Sequence, residues 1–148
     1  MMPTVEQVKN KVLRLMAKAF KITTTDDETI LLWHESAACS VKVEEFDPDE
    51  DGQNTVVKVS APILWNVKRT PVLYEWVATS GQAYMFGRVA CNISSQASET
   101  NLEFEYNLLG DNLDESELIT TVTLLLGTAN DLDDELQKKF GGKKTSDL

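Results

Sequence analysis

The sequence is poor in the side chains that metal and redox sites use. It contains one histidine and two cysteines in 148 residues, so it offers neither a pair of imidazoles nor a set of four thiolates for zinc. Cys39 and Cys91 lie in apolar segments typical of strands, which favours buried, reduced thiols over a disulfide framework. We therefore expect no cofactor and no metal site, and we interpret His34 as a structural or surface residue.

Positive charge and long apolar runs are also scarce. Lys and Arg number 14 against 24 Asp and Glu, which gives a formal net charge of −10 and disfavours nucleic acid and anionic membranes as partners. The longest uncharged run, Leu118 to Asn130, is too short to span a bilayer. Residues 1–11 lack the apolar stretch of a signal peptide, so we expect a cytoplasmic protein.

Motifs for catalysis are missing too. The sequence has no G-x-S-x-G element for a nucleophilic serine. The stretch FGGKKTS, residues 140–146, departs from a phosphate-binding loop, because Gln137 stands where the first glycine belongs and Lys144 where Ser or Thr should follow. We predict that the protein is not an enzyme.

One acidic stretch, DPDEDG at residues 47–52, resembles the first half of a calcium-binding loop. The twelfth position of that loop needs a bidentate carboxylate, but Lys58 occupies it. The flanking residues alternate with a period of two, which indicates strands rather than helices. We interpret the stretch as a solvated hairpin turn and predict no tight calcium binding.

Regular hydrophobic periodicities run through most of the remaining chain. The segments with helical spacing cover residues 5–20, a short stretch after Thr70-Pro71 that Gly81 closes in a left-handed conformation, and a long stretch from Asp114 to Gly141-Gly142. The segments with strand character are TILLWHES, Cys39–Val43, Val57–Trp65, Met85–Ile93 and Leu102–Leu108. This order, α-β-β-β-α-β-β-α, predicts an α+β fold in which helices pack on an antiparallel sheet of about five strands.

The same pattern predicts which residues form the core. Alternate positions of the central strand are apolar, and the long C-terminal helix repeats apolar residues at steps of three and four. These residues are Val57, Val59, Ala61 and Ile63 on the strand, and Leu118, Val122, Leu125, Ala129, Leu132 and Leu136 on the helix. We expect one domain over residues 1–142 and a frayed tail over residues 143–148.

Several short motifs in the C-terminal half carry a family resemblance. LYEWVAT at residues 73–79, MFGRV at 85–89, LLGDNLDESEL at 108–118 and ANDLDDELQKKFGG at 129–142 resemble the bacterial YbjN-like proteins, which are grouped with the type III secretion chaperones. The resemblance implies a compact α+β fold, no catalysis, and a role in holding an extended segment of a partner protein. Related chaperones are commonly dimeric, so it also favours a homodimer.

The resulting hypothesis is a non-enzymatic peptide-binding chaperone or adaptor. We predict Trp33, Trp65 and Leu31 as client-binding residues, because tryptophan concentrates binding energy and ILLW, residues 30–33, is apolar on both faces of its strand. The alternative is a small-molecule sensor or enzyme with a closed pocket near His34, between the sheet and the long helix. A third interpretation is a structural subunit with no free groove.

Overall fold

The computed structural model describes residues 3–46, 54–93 and 97–148. Within these ranges the chain forms three α-helices, six strands and two short 3-10 helices. In chain order the helices and strands are α1 (Val5–Ala19), β1 (Thr23–Thr24), β2 (Ile30–His34), β3 (Ala37–Glu45), β4 (Thr55–Lys68), α2 (Pro71–Thr79), β5 (Arg88–Ile93), β6 (Glu99–Leu109) and α3 (Glu115–Phe140).

In the described part of the chain, all six strands belong to one antiparallel sheet with the order β1-β2-β3-β4-β6-β5. The predicted α+β architecture and long C-terminal helix are confirmed, but the sheet has six strands rather than about five. The additional strand, β1, consists of Thr23 and Thr24, which are both exposed. A strand this short shows no alternation of apolar and polar residues, so the sequence pattern does not reveal it.

The helices cover one face of the sheet. All ten predicted core residues of β4 and α3 are buried. The helix α3 packs along β4, β3 and β6, while α1 packs on β3 and α3. The apolar stripe of α3 thus completes the core of its own domain.

Side-chain caps fix where each helix begins. Thr4 and Gln7 form a capping box at α1: the Gln7 backbone N–H donates to the Thr4 hydroxyl over 3.1 Å, and the Thr4 backbone N–H donates to the Gln7 side-chain carbonyl over 2.9 Å. The side chains of Thr70 and Asp114 each accept one backbone N–H, from Leu73 of α2 and Glu117 of α3.

The predicted role of Gly81 is wrong. Gly81 lies buried in the 3-10 helix Ser80–Gln82 that follows α2, and its φ is not among the positive values of the chain. A methyl group at Gly81 would lie 3.3 Å from Cβ and from the carbonyl oxygen of Val89. The glycine is therefore needed for close packing against β5 rather than for a left-handed cap.

The C-terminal segment is folded, contrary to the predicted frayed tail at residues 143–148. Lys143 forms an antiparallel bridge with Trp65 of β4, with N–H to carbonyl distances of 2.7 and 2.8 Å. The segment then forms the 3-10 helix Thr145–Asp147. Gly142, with φ +84°, permits this approach, because a side chain there would lie 2.8 Å from the Trp65 carbonyl oxygen. These tertiary contacts hold a polar segment whose composition alone suggests disorder.

The opposite face of the sheet has no helix in the described chain and carries alternating charges. Lys58 pairs with Glu44 over 2.9 Å on neighbouring strands, and Arg88 pairs with Glu105 over 2.9 Å. Side chains of opposite charge therefore neutralise one another across the strands.

Candidate functional site

The strand β2 leaves part of its main chain unpaired at one edge of the sheet. The short strand β1 covers only Ile30 and Leu31 of β2. The Thr25 N–H donates to the Thr29 carbonyl over 3.0 Å, so residue 29 faces β1. In an antiparallel strand every second residue turns its N–H and C=O to the same side. Trp33 therefore turns its main-chain donor and acceptor outward, and no described residue of the chain forms a backbone hydrogen bond to them there.

An apolar groove lies beside this edge. It has a volume of about 270 Å³ and lies where the end of α1, strand β2 and the middle of α3 meet. Its lining residues are Phe20, Lys21, Leu32, Trp33, His34, Thr123, Leu126 and Gly127. Apart from its own turn of helix and its chain neighbours, no atom of the described residues lies within 4 Å of the position that a Cβ of Gly127 would take. The missing side chain of Gly127 thus leaves open space on the helical wall of the groove.

Trp33 is the most exposed of the three predicted client-binding residues. It is 66% exposed, whereas Leu31 is partly buried. Both alternate along β2 with the buried Ile30 and Leu32, so they belong to the face of the sheet that the helices do not cover. A large aromatic side chain that remains exposed next to a groove is a common feature of binding sites.

Trp65 lies in a different environment. It is partly buried, and its indole N–H donates to the hydroxyl of the buried Thr145 over 3.0 Å. Its main chain is occupied by the bridge to Lys143. The structure thus brings Leu31 and Trp33 together on one strand, while Trp65 holds the C-terminal segment. A client-binding role for Trp65 stays a prediction.

A polar cluster around the buried Asp133 fixes the turn that follows Trp33. The Ser36 hydroxyl contacts the Asp133 carboxylate over 2.7 Å and also contacts the Asn130 side chain. The Asn130 amide donates to the Glu35 carboxylate over 2.9 Å. These bonds attach the β2–β3 turn to α3 and hold one end of the groove.

The sequence did not indicate this cluster. In the sequence, the acidic run of Asp131, Asp133, Asp134 and Glu135 favours a solvated helical face, but Asp133 is buried. The signal that could have revealed it is spacing: Asp133 follows Ala129 and precedes Leu136 on the apolar stripe of α3. The neighbouring Asp134 is exposed, and its hydrogen bond with Lys144 lowers the pKa of the Asp134 carboxyl.

The side chains with reactive chemistry lie outside the groove or face solvent. Burial raises the pKa of the Cys39 thiol to about 12, so Cys39 is neutral at physiological pH. The side chain of His34 is 64% exposed, which agrees with its interpretation as a surface residue. Both cysteines are free thiols.

Residues 3–46, 54–93 and 97–148 contain no group of three His, Cys, Asp or Glu side chains that could hold a metal ion. The acidic stretch DPDEDG lies outside the described residues, so the prediction about calcium remains one from the sequence. In the described ranges no helix combines the length and the apolarity that crossing a membrane requires.

Comparison with protein families provides a match over nearly the whole chain. The family model described as T3SS (YopN, CesT) and YbjN peptide-binding chaperone 1 matches residues 4–148. The chain belongs to this family. Comparison with curated proteins finds no match.

The T3SS and YbjN chaperone match confirms the resemblance that we derived from the motifs in the C-terminal half. It also extends that resemblance to α1 and to strands β1–β4, and includes the C-terminal segment that contacts Trp65. The edge of β2 and the apolar groove therefore lie inside the part of the chain that matches the family.

Proposed function

We propose that this protein is a non-enzymatic chaperone or adaptor that holds an extended segment of a partner protein along the edge of β2. The observation that carries the proposal is Trp33, a tryptophan that is 66% exposed, has an outward-facing main chain and borders an apolar groove. The family supplies the general function, which is binding of peptides.

Two interactions would act together at this edge. An added strand would form main-chain hydrogen bonds with Trp33, and its alternate side chains would lie against Leu31 and Trp33 or enter the groove beside Leu126. A tryptophan side chain offers up to about 250 Å², so covering the exposed part of Trp33 buries roughly 150 Å². At ~25 cal/mol per Å² this contributes about 4 kcal/mol before the ordering entropy of the client is subtracted.

Charge favours clients of a particular composition. The net charge of −10 attracts basic segments over long distances. We therefore propose a client that combines apolar residues for the groove with basic residues outside it. The cytoplasmic location and the homodimer expected from the sequence belong to the same proposal.

The alternative of a small-molecule sensor or enzyme has less support. It requires polar groups that converge around His34 in a closed pocket, but the His34 imidazole is largely exposed and the neighbouring groove is mainly apolar. An open groove with an unpaired strand at its rim fits a polypeptide better than a small polar molecule.

Affinity capture from the source cells tests the proposal when it is done with matched variants. We expect the wild-type protein to retain a partner that Trp33→Ala loses, while Val72→Ala keeps it. Val72 is a suitable control, because it is 69% exposed on α2 and does not line the groove. A synthetic segment of the retained partner should then bind the wild type and compete with the full-length partner. Equal recovery by all three proteins would refute the assignment of the β2 edge.

A further inference from the structure

A second strand in the sheet has an unpaired outer edge. Strand β5 pairs with β6 only from Thr100 to Glu105, whereas β6 continues to Leu109. The sequence predicted a longer β5 that begins at Met85, but the chain turns away before Arg88. Gly87, with φ +89°, makes this turn, and a side chain there would lie 2.7 Å from the Phe104 ring. Among the described residues, no strand therefore pairs with Tyr106–Leu109 on that side.

Every second residue of Tyr106–Leu109 turns its main-chain N–H and C=O toward the free edge. The Gly110 N–H donates to the Thr55 carbonyl over 3.0 Å, so residue 110 faces β4. By the alternation of an antiparallel strand, Asn107 and Leu109 turn their N–H and C=O away from β4, toward the free edge. In the described parts of the chain, no backbone hydrogen bond satisfies them on that side.

Apolar surface lies on both sides of the free edge. On the helix side there is a groove of about 340 Å³ between β6 and α3, with Phe86 and Leu124 at its rim. The other residues that line this groove are Tyr106, Leu108, Ser116, Glu117, Thr120 and Thr121. Phe86 is 50% exposed and stacks edge-to-face on Tyr106 at 6.4 Å between ring centroids. Met85, on the other side, borders a separate hollow with Arg88 and Asn107.

We propose that this edge, which we call the β6 notch and define as Tyr106–Leu109 with Phe86 and Leu124, binds a second extended segment of the client. The inference rests on the proposed chaperone function. A client segment added as a strand would form hydrogen bonds with the main-chain N–H and C=O of Asn107 and Leu109. Every second side chain of that segment would then lie in the groove beside Leu124. The bound segment is therefore apolar at alternate positions.

Charge selects the client over a second copy of this chain. The groove contains Glu117, whereas Glu115 in the same first turn of α3 pairs with Lys18 over 3.2 Å. A Lys or Arg on the bound segment would neutralise Glu117, whereas two copies related by a two-fold axis at this edge would bring their two Glu117 carboxylates to the same interface. The segment that fits the β6 notch thus carries a basic residue next to its apolar ones.

Amide hydrogen exchange followed by NMR tests the proposal on the full chain. The probe is a short synthetic peptide that alternates leucine and threonine and contains one lysine. The control is the same peptide with N-methyl groups on alternate amides, which removes its main-chain donors. We expect the amides of Asn107 and Leu109 to exchange rapidly in the free protein and to slow by at least about tenfold with the first peptide only.

Single substitutions test the apolar and the charged contributions of the β6 notch one at a time. We expect Leu124→Lys to weaken binding by about tenfold or more, because it places a charge at the rim of the groove. We expect Glu117→Gln to weaken binding of the lysine peptide by about threefold and to leave a lysine-free peptide unaffected. Val72→Lys, on the exposed face of α2, serves as the matched control and should leave binding unchanged.

The outcomes distinguish this inference from the proposed function. Protection of the Trp33 amide without protection of Asn107 and Leu109 would overturn the β6 notch and leave the β2 site standing. Protection of the Asn107 amide in the absence of peptide, if it grows as the protein concentration rises, would assign the notch to a second copy and would also overturn the inference. Absence of protection at all three amides at millimolar peptide would contradict both proposals.

Discussion

The two tryptophans Trp33 and Trp65 should respond to truncation in opposite ways. A buried tryptophan replaced by alanine costs about 3 to 5 kcal/mol of folding free energy. Trp33 is 66% exposed, so Trp33→Ala should cost only about a third of that folding free energy, ~1 to 1.7 kcal/mol. Trp33→Ala should weaken client binding by more than it lowers stability, by about 2 kcal/mol, which raises the dissociation constant roughly thirtyfold.

Trp65→Ala should mainly reduce stability. It removes the packing of a partly buried ring and leaves the buried Thr145 hydroxyl without its donor, which together cost about 3 kcal/mol. For a chain of this length each kcal/mol lowers the melting temperature by about 2 to 4 °C. We expect the melting temperature to decrease by about 6 to 12 °C for Trp65→Ala and by less than about 7 °C for Trp33→Ala.

Thermal melts and client titrations of both variants measure these effects. Thr145→Val is the control for the Trp65 hydrogen bond, since it keeps the shape of the side chain and removes the acceptor; it should cost about 1 kcal/mol. A large decrease in melting temperature for Trp33→Ala, with unchanged client affinity, would show that Trp33 is a packing residue and refute its role as an anchor.

Four further predictions concern other parts of the chain. Calorimetry with millimolar calcium should show no saturable heat, because Lys58 denies the DPDEDG stretch a full oxygen shell; a micromolar dissociation constant would contradict this. Light scattering should give the mass of a dimer, and a monomer mass that does not change with concentration would remove the dimer from the proposal. Gly127→Ala should raise the free energy of unfolding in urea by about 1 kcal/mol. Gly127→Leu should fill the apolar groove beside β2 and lower client affinity, whereas Gly127→Ala should change client affinity weakly or not at all. Cys39 should react with a thiol reagent only after denaturation, because burial raises its pKa to about 12 and hides the sulfur; rapid reaction of the native protein would show that β3 opens.

The parts of the fold that the sequence predicted are those with a long, regular period. The stripe on α3 and the alternation on β4 identified the covered face of the sheet, because burial selects apolar side chains at every turn or at every second residue. Caps with a short polar side chain, such as Thr70 and Asp114, also marked the helix starts correctly.

The parts that it did not predict depend on contacts distant in sequence. The segment after Gly142 is polar and looked frayed, but β4 holds it through Trp65, about 80 residues away in the chain. Asp133 was interpreted as solvated because its neighbours are acidic, whereas its position on the α3 stripe buries it beside Ser36. Local composition carries no information about such partners.

The candidate site was only partly visible for the same reason. The sequence indicated that Leu31 and Trp33 lie on a strand with two apolar faces, but it could not show that β1 is short and leaves Trp33 unpaired. It also assigned Met85 to a strand, which would have covered the β6 edge. Where a strand ends decides which main-chain groups remain free, and strand ends depend on turn geometry such as that at Gly87.

Photo-crosslinking from position 33 tests whether the edge of β2 at Trp33 binds a client. Benzoylphenylalanine replaces Trp33 in one variant and Val72 in a control variant. Each variant is irradiated in the source cells, and the cross-linked peptides are identified by mass spectrometry. We expect position 33 to cross-link to one contiguous segment of a partner protein, rich in apolar and basic residues, and position 72 not to cross-link to it. Equal cross-linking from both positions, or none from position 33 under conditions where the partner co-purifies, would contradict it.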